Sequence, residues 1–215
     1  MHVFYLHGFA SSPSSAKAAY FADRFHAHGL TLRRPDFNEP DFASLTMTRM
    51  LDQVAADIAT LDLHGGPVVL IGSSLGAVVA IHTAARIADR VHRLVLLAPA
   101  VMFPKDAAKV LGVERVRAWQ RDGTLDVFHH FDQATRQLAY AFYADGLQYD
   151  AFDAKATQPT LAFQGLRDEA VDHRMVELYA ATRPNVQLTL LDDDHQLHAS
   201  LPVILKTMAP FLELT

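Results

Sequence analysis

Apolar positions along this chain follow two periods that take turns. Short apolar runs at His2–Leu6 (HVFYL), Leu30–Arg34, Val68–Ile71, Arg93–Leu97 (RLVLL), Thr160–Gln164 (TLAFQ) and Val186–Leu191 (VQLTLL) predict six strands. Between them, apolar residues recur every three or four positions, the spacing of a helix face. Ala18, Phe21, Ala22 and Phe25 follow Ser14 and Ser15, either of which can cap a helix ending near Gly29. Met47, Met50, Leu51, Val54, Ile58 and Leu61 line a second helix, with Thr46 or Thr48 as cap and His64-Gly65-Gly66 as stop. A third helix runs from after Ser74 to about Ile87, and a fourth lies near His173–Thr182, before Pro184. The last buries Leu201, Ile204, Leu205, Met208 and Phe211, with Pro202 tolerable only in its first turn.

Strands alternating with helices predict a doubly wound α/β fold: a mostly parallel six-stranded sheet with helices on both faces. The alternation stops from about Val101 to Ala156. That segment holds nine aromatic residues, among them Trp119, the only tryptophan. Helices are expected near Lys105–Gln120 and Gln133–Ala144. They form either a small helical cap over a site or a connection packed on the body of the fold. The expectation is therefore one domain over residues 1–215, with an insertion at about 101–156.

Composition narrows the class of function. With 215 residues, half of them hydrophobic, the chain can bury a full core. A formal net charge of −5 offers no electrostatic footprint for nucleic acid or an anionic membrane surface. Without cysteine there is no disulfide, thiol nucleophile or thiolate metal site. No apolar segment reaches the length of a membrane span, and the opening MHVFYLHGF has neither a basic leader region nor a cleavage site, so a cytoplasmic location is expected.

The chemistry gathers where predicted strands end. Gly72-Ser73-Ser74-Leu75-Gly76 is a G-x-S-x-G pattern between a buried strand and a small, apolar helix. Glycines flank the serine because side chains there would crowd the sharp turn that lifts its hydroxyl above the sheet. His7-Gly8-Phe9, Asp168 and His195 each follow another predicted strand. In parallel sheets the reactive groups sit at the carboxyl ends of the strands, so these loops converge on one edge. A serine hydroxyl needs a base within hydrogen-bond reach, a group that orients the base, and N–H donors facing the oxyanion.

Together these motifs, LHGF, GSSLG, GLRDEAV and DDDHQL, resemble the α/β-hydrolase superfamily, and in particular small bacterial esterases of the YqiA type, which share a start like LHGFASSP. The order Ser, Asp, His is that of the superfamily. The resemblance implies Ser74 as nucleophile, His195 as general base and acid, Asp168 as the carboxylate that orients the imidazole, and the backbone N–H groups of Phe9 and Leu75 as oxyanion hole. It also implies a sheet lacking the usual N-terminal hairpin, in the order 4-3-5-6-7-8 by superfamily labels, and a reaction that needs no cofactor and no metal. The substrate would be a small-molecule carboxylic ester or thioester of a small to medium acyl group. An acyl-CoA thioesterase, a small peptidase and a non-catalytic, hydrolase-like ligand-binding protein remain open.

Each site residue has competitors. His198 rivals His195, and Glu169 and Asp172 rival Asp168. Asp192–Asp194 with His195 has the look of a metal cluster but lacks a second histidine at ligand spacing. His129-His130 reads as cap surface or packing, His7 as a structural partner of the loops, and Arg33-Arg34 as strand-end charge or a contact for an anionic acyl-donor head group.

Overall fold

The computed structural model describes residues 1–62 and 66–214. The chain opens with β1 (His2–Leu6), α1 (Ala16–Ala27), β2 (Leu32–Arg33), α2 (Met47–Ala59), β3 (Val68–Ser73), α3 (Leu75–Arg86) and β4 (Val91–Leu97). The segment after β4 contains α4 (Ala107–Leu111), α5 (Val113–Asp122), the hairpin strands β5 (Thr124–His129) and β6 (Ala134–Ala139), and α6 (Ala141–Gly146). Alternation resumes with β7 (Thr160–Gly165), α7 (His173–Ala181), β8 (Val186–Leu191) and α8 (Leu201–Phe211).

Six strands make one parallel sheet in the order β2-β1-β3-β4-β7-β8. This is the expected order, with the HGF-bearing strand second from the edge. Period-two geometry sends alternate residues to opposite faces. Phe4, Leu6, Leu70 and Leu96 meet α2 and α3 on one side, whereas Val3, Tyr5, Ile71 and Leu97 meet α1 and α8 on the other. Both faces are covered, which is why β3 reads as an unbroken apolar run and is buried along its whole length.

Register places the loops. Leu6 pairs with Gly72, so the turn after β1 and the turn after β3 leave the sheet at the same level. Gly165 pairs with Leu191, which does the same for the loops carrying Asp168 and His195.

Caps follow the sequence. Ser15 accepts a hydrogen bond from Ala18 N–H, and Thr46 accepts one from Arg49 N–H. The expected stop at His64-Gly65 lies outside the described residues; α2 ends at Ala59, and buried Leu61 falls beyond it.

Three expectations are corrected. The strand at Leu30–Arg34 shrinks to two residues before Pro35. The helix expected over Lys105–Gln120 breaks at Gly112, whose φ of +87° ends α4 and starts α5 on a new axis. The helix expected over Gln133–Ala144 is a strand followed by a short helix. Leu125 and Val127 are half-buried, whereas Thr124, Asp126 and Phe128 are exposed. This period-two face needs a partner strand, and β6 supplies it in antiparallel register. The insertion is thus half hairpin instead of all helix.

The insertion is tied down at several points. His130 N–H donates to Ala10 O at 3.1 Å and Ala139 N–H to Ala43 O at 2.9 Å. Trp119 Nε1–H donates to Leu138 O at 3.0 Å, and Asp145 accepts from both the N–H and the hydroxyl of Thr48.

Candidate active site

Ser74 joins β3 to α3 with φ 54° and ψ −116°, a conformation a serine holds only when its surroundings impose it. Its neighbours impose it through close packing. A Cβ on Gly72 would stand 2.5 Å from Ala77 Cα, and one on Gly76 would stand 2.6 Å from His7 O. Ser74 N–H donates to Leu97 O at 2.8 Å, and Ser74 O accepts from Ala77 N–H at 3.0 Å, so the turn is fastened to β4 and to α3. Leu75 N–H opens the helix and has no intrahelical acceptor.

The turn after β1 presses against this elbow: a Cβ on Gly8 would lie 3.3 Å from Ser74 Cβ. His7, 2% exposed, holds it in place. Its Nδ1–H donates to Gly8 O at 2.9 Å while Nε2 accepts from Phe37 N–H at 3.0 Å. Both ring nitrogens are used in the neutral tautomer, which makes His7 the loop partner that the sequence implied. Gly8 O and Phe9 N–H belong to one planar trans peptide and point in opposite directions. Holding the carbonyl toward His7 therefore turns the Phe9 N–H away from it.

Asp168 and His195 are brought together by the paired strands β7 and β8. His195 Nδ1–H donates to Asp168 Oδ2 at 2.8 Å, and the Asp168 side chain is fully buried. Its remaining lone pairs are used as well: Oδ2 accepts from Gln164 Nε2–H at 2.9 Å, and Oδ1 from the N–H groups of Ala170 and Val171. Burial opposes the charge, but the hydrogen bond and field of His195, with the Val171 and Gln164 donors, hold the carboxyl below its ordinary range.

Ser74 and His195 both line a cleft of about 480 Å³. Among the described residues, the side chain of His195 hydrogen-bonds Asp168 and the Ser74 hydroxyl has no protein partner. A second lobe of about 460 Å³ also reaches Ser74 and is walled by the insertion, including Trp119, Leu138 and Phe142.

The competitors have other employment. His198 is exposed at the cleft rim, in the turn before α8 and not in the helix itself. Asp172 caps α7 through Arg174 N–H, and Glu169 is exposed. Asp192 pairs with Arg167, Asp193 accepts from Ser200 N–H at 2.8 Å, and Asp194 accepts from Gln196 N–H. No group of three or more His, Asp or Glu side chains among the described residues is arranged to hold a metal ion. His129 is buried with Nε2 on Asn38 Oδ1, whereas His130 is exposed and lines the cleft. Arg34 donates to Pro13 O, and Arg33 lies over Phe4.

Sequence reasoning missed Lys17. It is 6% exposed, lines the cleft, and its Nζ donates to His195 O at 3.4 Å. Burial pushes the ammonium down to about 8 against the opposing pull of Asp168, Asp194 and Asp193. A signal was present: a lysine in the first turn of a helix opposes the macrodipole and needs another reason to be there.

A parallel sheet in this order, with a serine elbow after its third strand in chain order and an acid and a histidine after its last two, defines the α/β-hydrolase fold. Solved structures agree. A putative hydrolase from Agrobacterium vitis superposes with a TM-score of 0.84 at 22% identity, covering 97% of this chain and 87% of that one. Est1E from Butyrivibrio proteoclasticus, with ferulic acid bound, gives 0.83 at 22% identity, over 99% and 88% of the two chains. Mouse α/β hydrolase domain-containing protein 10 gives 0.81 at 21% identity, over 99% and 89%. No curated protein matches the sequence. The chain belongs to the uncharacterised protein family UPF0227, whose model matches residues 2–212, in line with the YqiA-type resemblance of its motifs. No helix among the described residues is long and apolar enough to cross a membrane.

Proposed function

We propose that this protein is a serine hydrolase that cleaves a small-molecule carboxylic ester or thioester through an acyl-enzyme. The observation that carries this reading is the buried Asp168 bonded to His195, whose ring shares one cleft with a serine held at positive φ. Ser74 Oγ attacks the ester carbonyl carbon and its proton passes to His195 Nε2. Asp168 fixes the tautomer that leaves Nε2 free to accept, and stabilises the imidazolium that follows. The N–H groups of Phe9 and Leu75 receive the oxyanion. The imidazolium protonates the departing alkoxide, and water then attacks the acyl carbon by the same base to release the acid and restore Ser74. The serine–imidazole contact tightens when substrate fills the cleft, as catalytic hydrogen bonds commonly do. The insertion serves as a cap that walls the acyl side.

The neighbours support the class. Est1E holds ferulic acid, a carboxylic acid of the kind that ester cleavage releases. Turnover of p-nitrophenyl butyrate by the wild type, lost on the order of 10⁶-fold in Ser74→Ala, tests the reading. Wild-type-like turnover by that variant would assign the attack to another residue. Ligand binding without turnover in the wild type would make the protein a hydrolase-like receptor.

A further inference from the structure

The space above Ser74 has two chambers that join over the serine. Val127 and Phe128 of β5 line both, as do Phe9 and Ala170, so the hairpin borders the junction between them. It is fixed there by His130 N–H on Ala10 O and by Trp119 Nε1–H on Leu138 O.

The chambers differ in chemistry. His195 lines one and is absent from the wall of the other. The His195 chamber adds hydrogen-bonding groups (Ser11, Ser15, Gln196 and His198) and the half-exposed ring of Phe131. The opposite chamber is packed with rings. Phe142 stacks on Phe9 with centroids 5.2 Å apart and meets Phe103 at 5.2 Å, while Trp119 contacts Tyr143. Charged Arg115 and Asp126, which also border it, are exposed; Asp106 at its rim is half-buried, and burial pushes its carboxyl above the ordinary range, toward the neutral form. An apolar cavity of about 150 Å³ holds benzene, so about 460 Å³ takes an aryl group or a medium aliphatic chain.

Resting on the serine-hydrolase reading, we infer that the hairpin assigns the two halves of the substrate: an apolar, medium-sized acyl group enters the aromatic chamber, and a neutral, hydroxyl-bearing alcohol leaves through the His195 chamber. The assignment follows from the proton. The group that departs must take its proton from His195, so it lies on the imidazole's side of the scissile bond, and the acyl group is left with the chamber that His195 does not line. In that step the serine Oγ–carbon bond forms, the ester carbon–oxygen bond breaks, and the imidazole proton goes to the alcohol oxygen; water completes the cycle.

A hydroxyl-rich alcohol fits its chamber, with hydroxyl partners along the wall and an aromatic face at Phe131 for its C–H surface. A phosphate-bearing thiol does not. Among the described residues lining this chamber, Lys17 is the one ammonium or guanidinium, and it is buried toward Asp168, Asp193 and Asp194. Nothing else of fixed positive charge there can hold phosphate.

The test compares glyceryl octanoate with octyl glycolate, which exchange the apolar and polar halves across the ester. Octanoyl-coenzyme A and p-nitrophenyl acetate complete the set. The wild type should hydrolyse glyceryl octanoate at least tenfold faster, by kcat/KM, than octyl glycolate or the thioester. Leu111 lines the aromatic chamber, and Leu111→Trp, which narrows it, should lower kcat/KM for octanoates about tenfold more than for the acetate. Phe131→Ala should raise KM for the glyceryl ester several-fold and leave the deacylation rate of the octanoyl-enzyme unchanged, because the alcohol has already gone. Preference for octyl glycolate or for the thioester, or a Leu111→Trp effect on acetate equal to that on octanoate, would overturn the assignment while the hydrolase reading stands. Inertness toward every substrate, p-nitrophenyl acetate included, would overturn both.

Discussion

Asp168 gives all of its acceptor capacity to partners within reach, and His195 is the partner that connects it to the cleft. The 2.8 Å bond from His195 Nδ1–H to Asp168 Oδ2 joins a fully buried carboxylate to a ring that is 23% exposed. A carboxylate can be buried at this cost only if its charge is used. Here it fixes which imidazole nitrogen carries the proton.

Asp168→Asn keeps the shape and removes the charge. The amide would favour the wrong imidazole tautomer, so kcat should fall about 10³–10⁴-fold with KM little altered. The same carboxyl titrates below its ordinary range when folded, so its stabilisation is present above the unfolded-state value and is lost as pH falls through the folded one. Denaturant unfolding at pH 7 and near pH 3 should show the wild type losing more stability on acidification than Asp168→Asn. Equal losses would separate the carboxylate from the acid sensitivity of the fold.

His7→Ala releases the Gly8 carbonyl and leaves the buried Phe37 N–H without its acceptor. Stability should drop about 1–3 kcal/mol. If the Phe9 N–H then wanders, kcat should fall toward the 10²–10³-fold loss that follows removal of an oxyanion donor. Ester kinetics with a denaturation curve on the same preparation would check both, and an unchanged kcat would detach His7 from the oxyanion hole.

Gly76→Ala would drive a Cβ into the backbone carbonyls of Leu6 and His7. Backbone cannot move aside as a side-chain tip can, so stability should fall by several kcal/mol, on the order of 3. A melting curve close to wild type would mean that β1 and α3 are less tightly joined than this contact requires.

Lys17→Met keeps most of the side-chain volume and removes the buried ammonium. The folded lysine titrates at about 8, whereas the unfolded one titrates near 10.5. Below pH 8 both states are protonated and the wild type carries the full penalty of a buried charge. Between 8 and 10.5 the folded state has shed its proton first, and the wild type recovers about 3 kcal/mol relative to the variant. Paired unfolding curves at pH 7.5 and 10.5 read this difference. A pH-independent gap would show that Lys17 stays charged throughout.

The frame of the fold was legible because its signals are local. Val68–Ile71 reads as a strand buried on both faces because it is short, β-branched and bounded by glycines, and Gly72 and Gly76 marked the elbow because nothing larger fits there. Asp168 and His195 were recoverable from their places just past β7 and β8. The hairpin was not. Gln133–Ala144 contains good helix formers, and strand β6 exists because β5 lies beside it, a pairing no local window contains. Lys17 was overlooked for a related reason. Its interest lies in carboxylates some 150 to 180 residues away in sequence, which only the folded chain brings near. Local physics placed the edge that carries the candidate site, and non-local contacts built the walls around it.

The proposed function rests on Ser74 acting as a nucleophile activated by His195. Treating the folded protein with a fluorophosphonate probe and mapping the adduct by peptide mass spectrometry tests it directly. The adduct should lie on Ser74 in the wild type and be lost or slowed at least a hundredfold in a folded His195→Ala variant. An unmodified Ser74 in natively folded wild type, or labelling indifferent to His195, would contradict it.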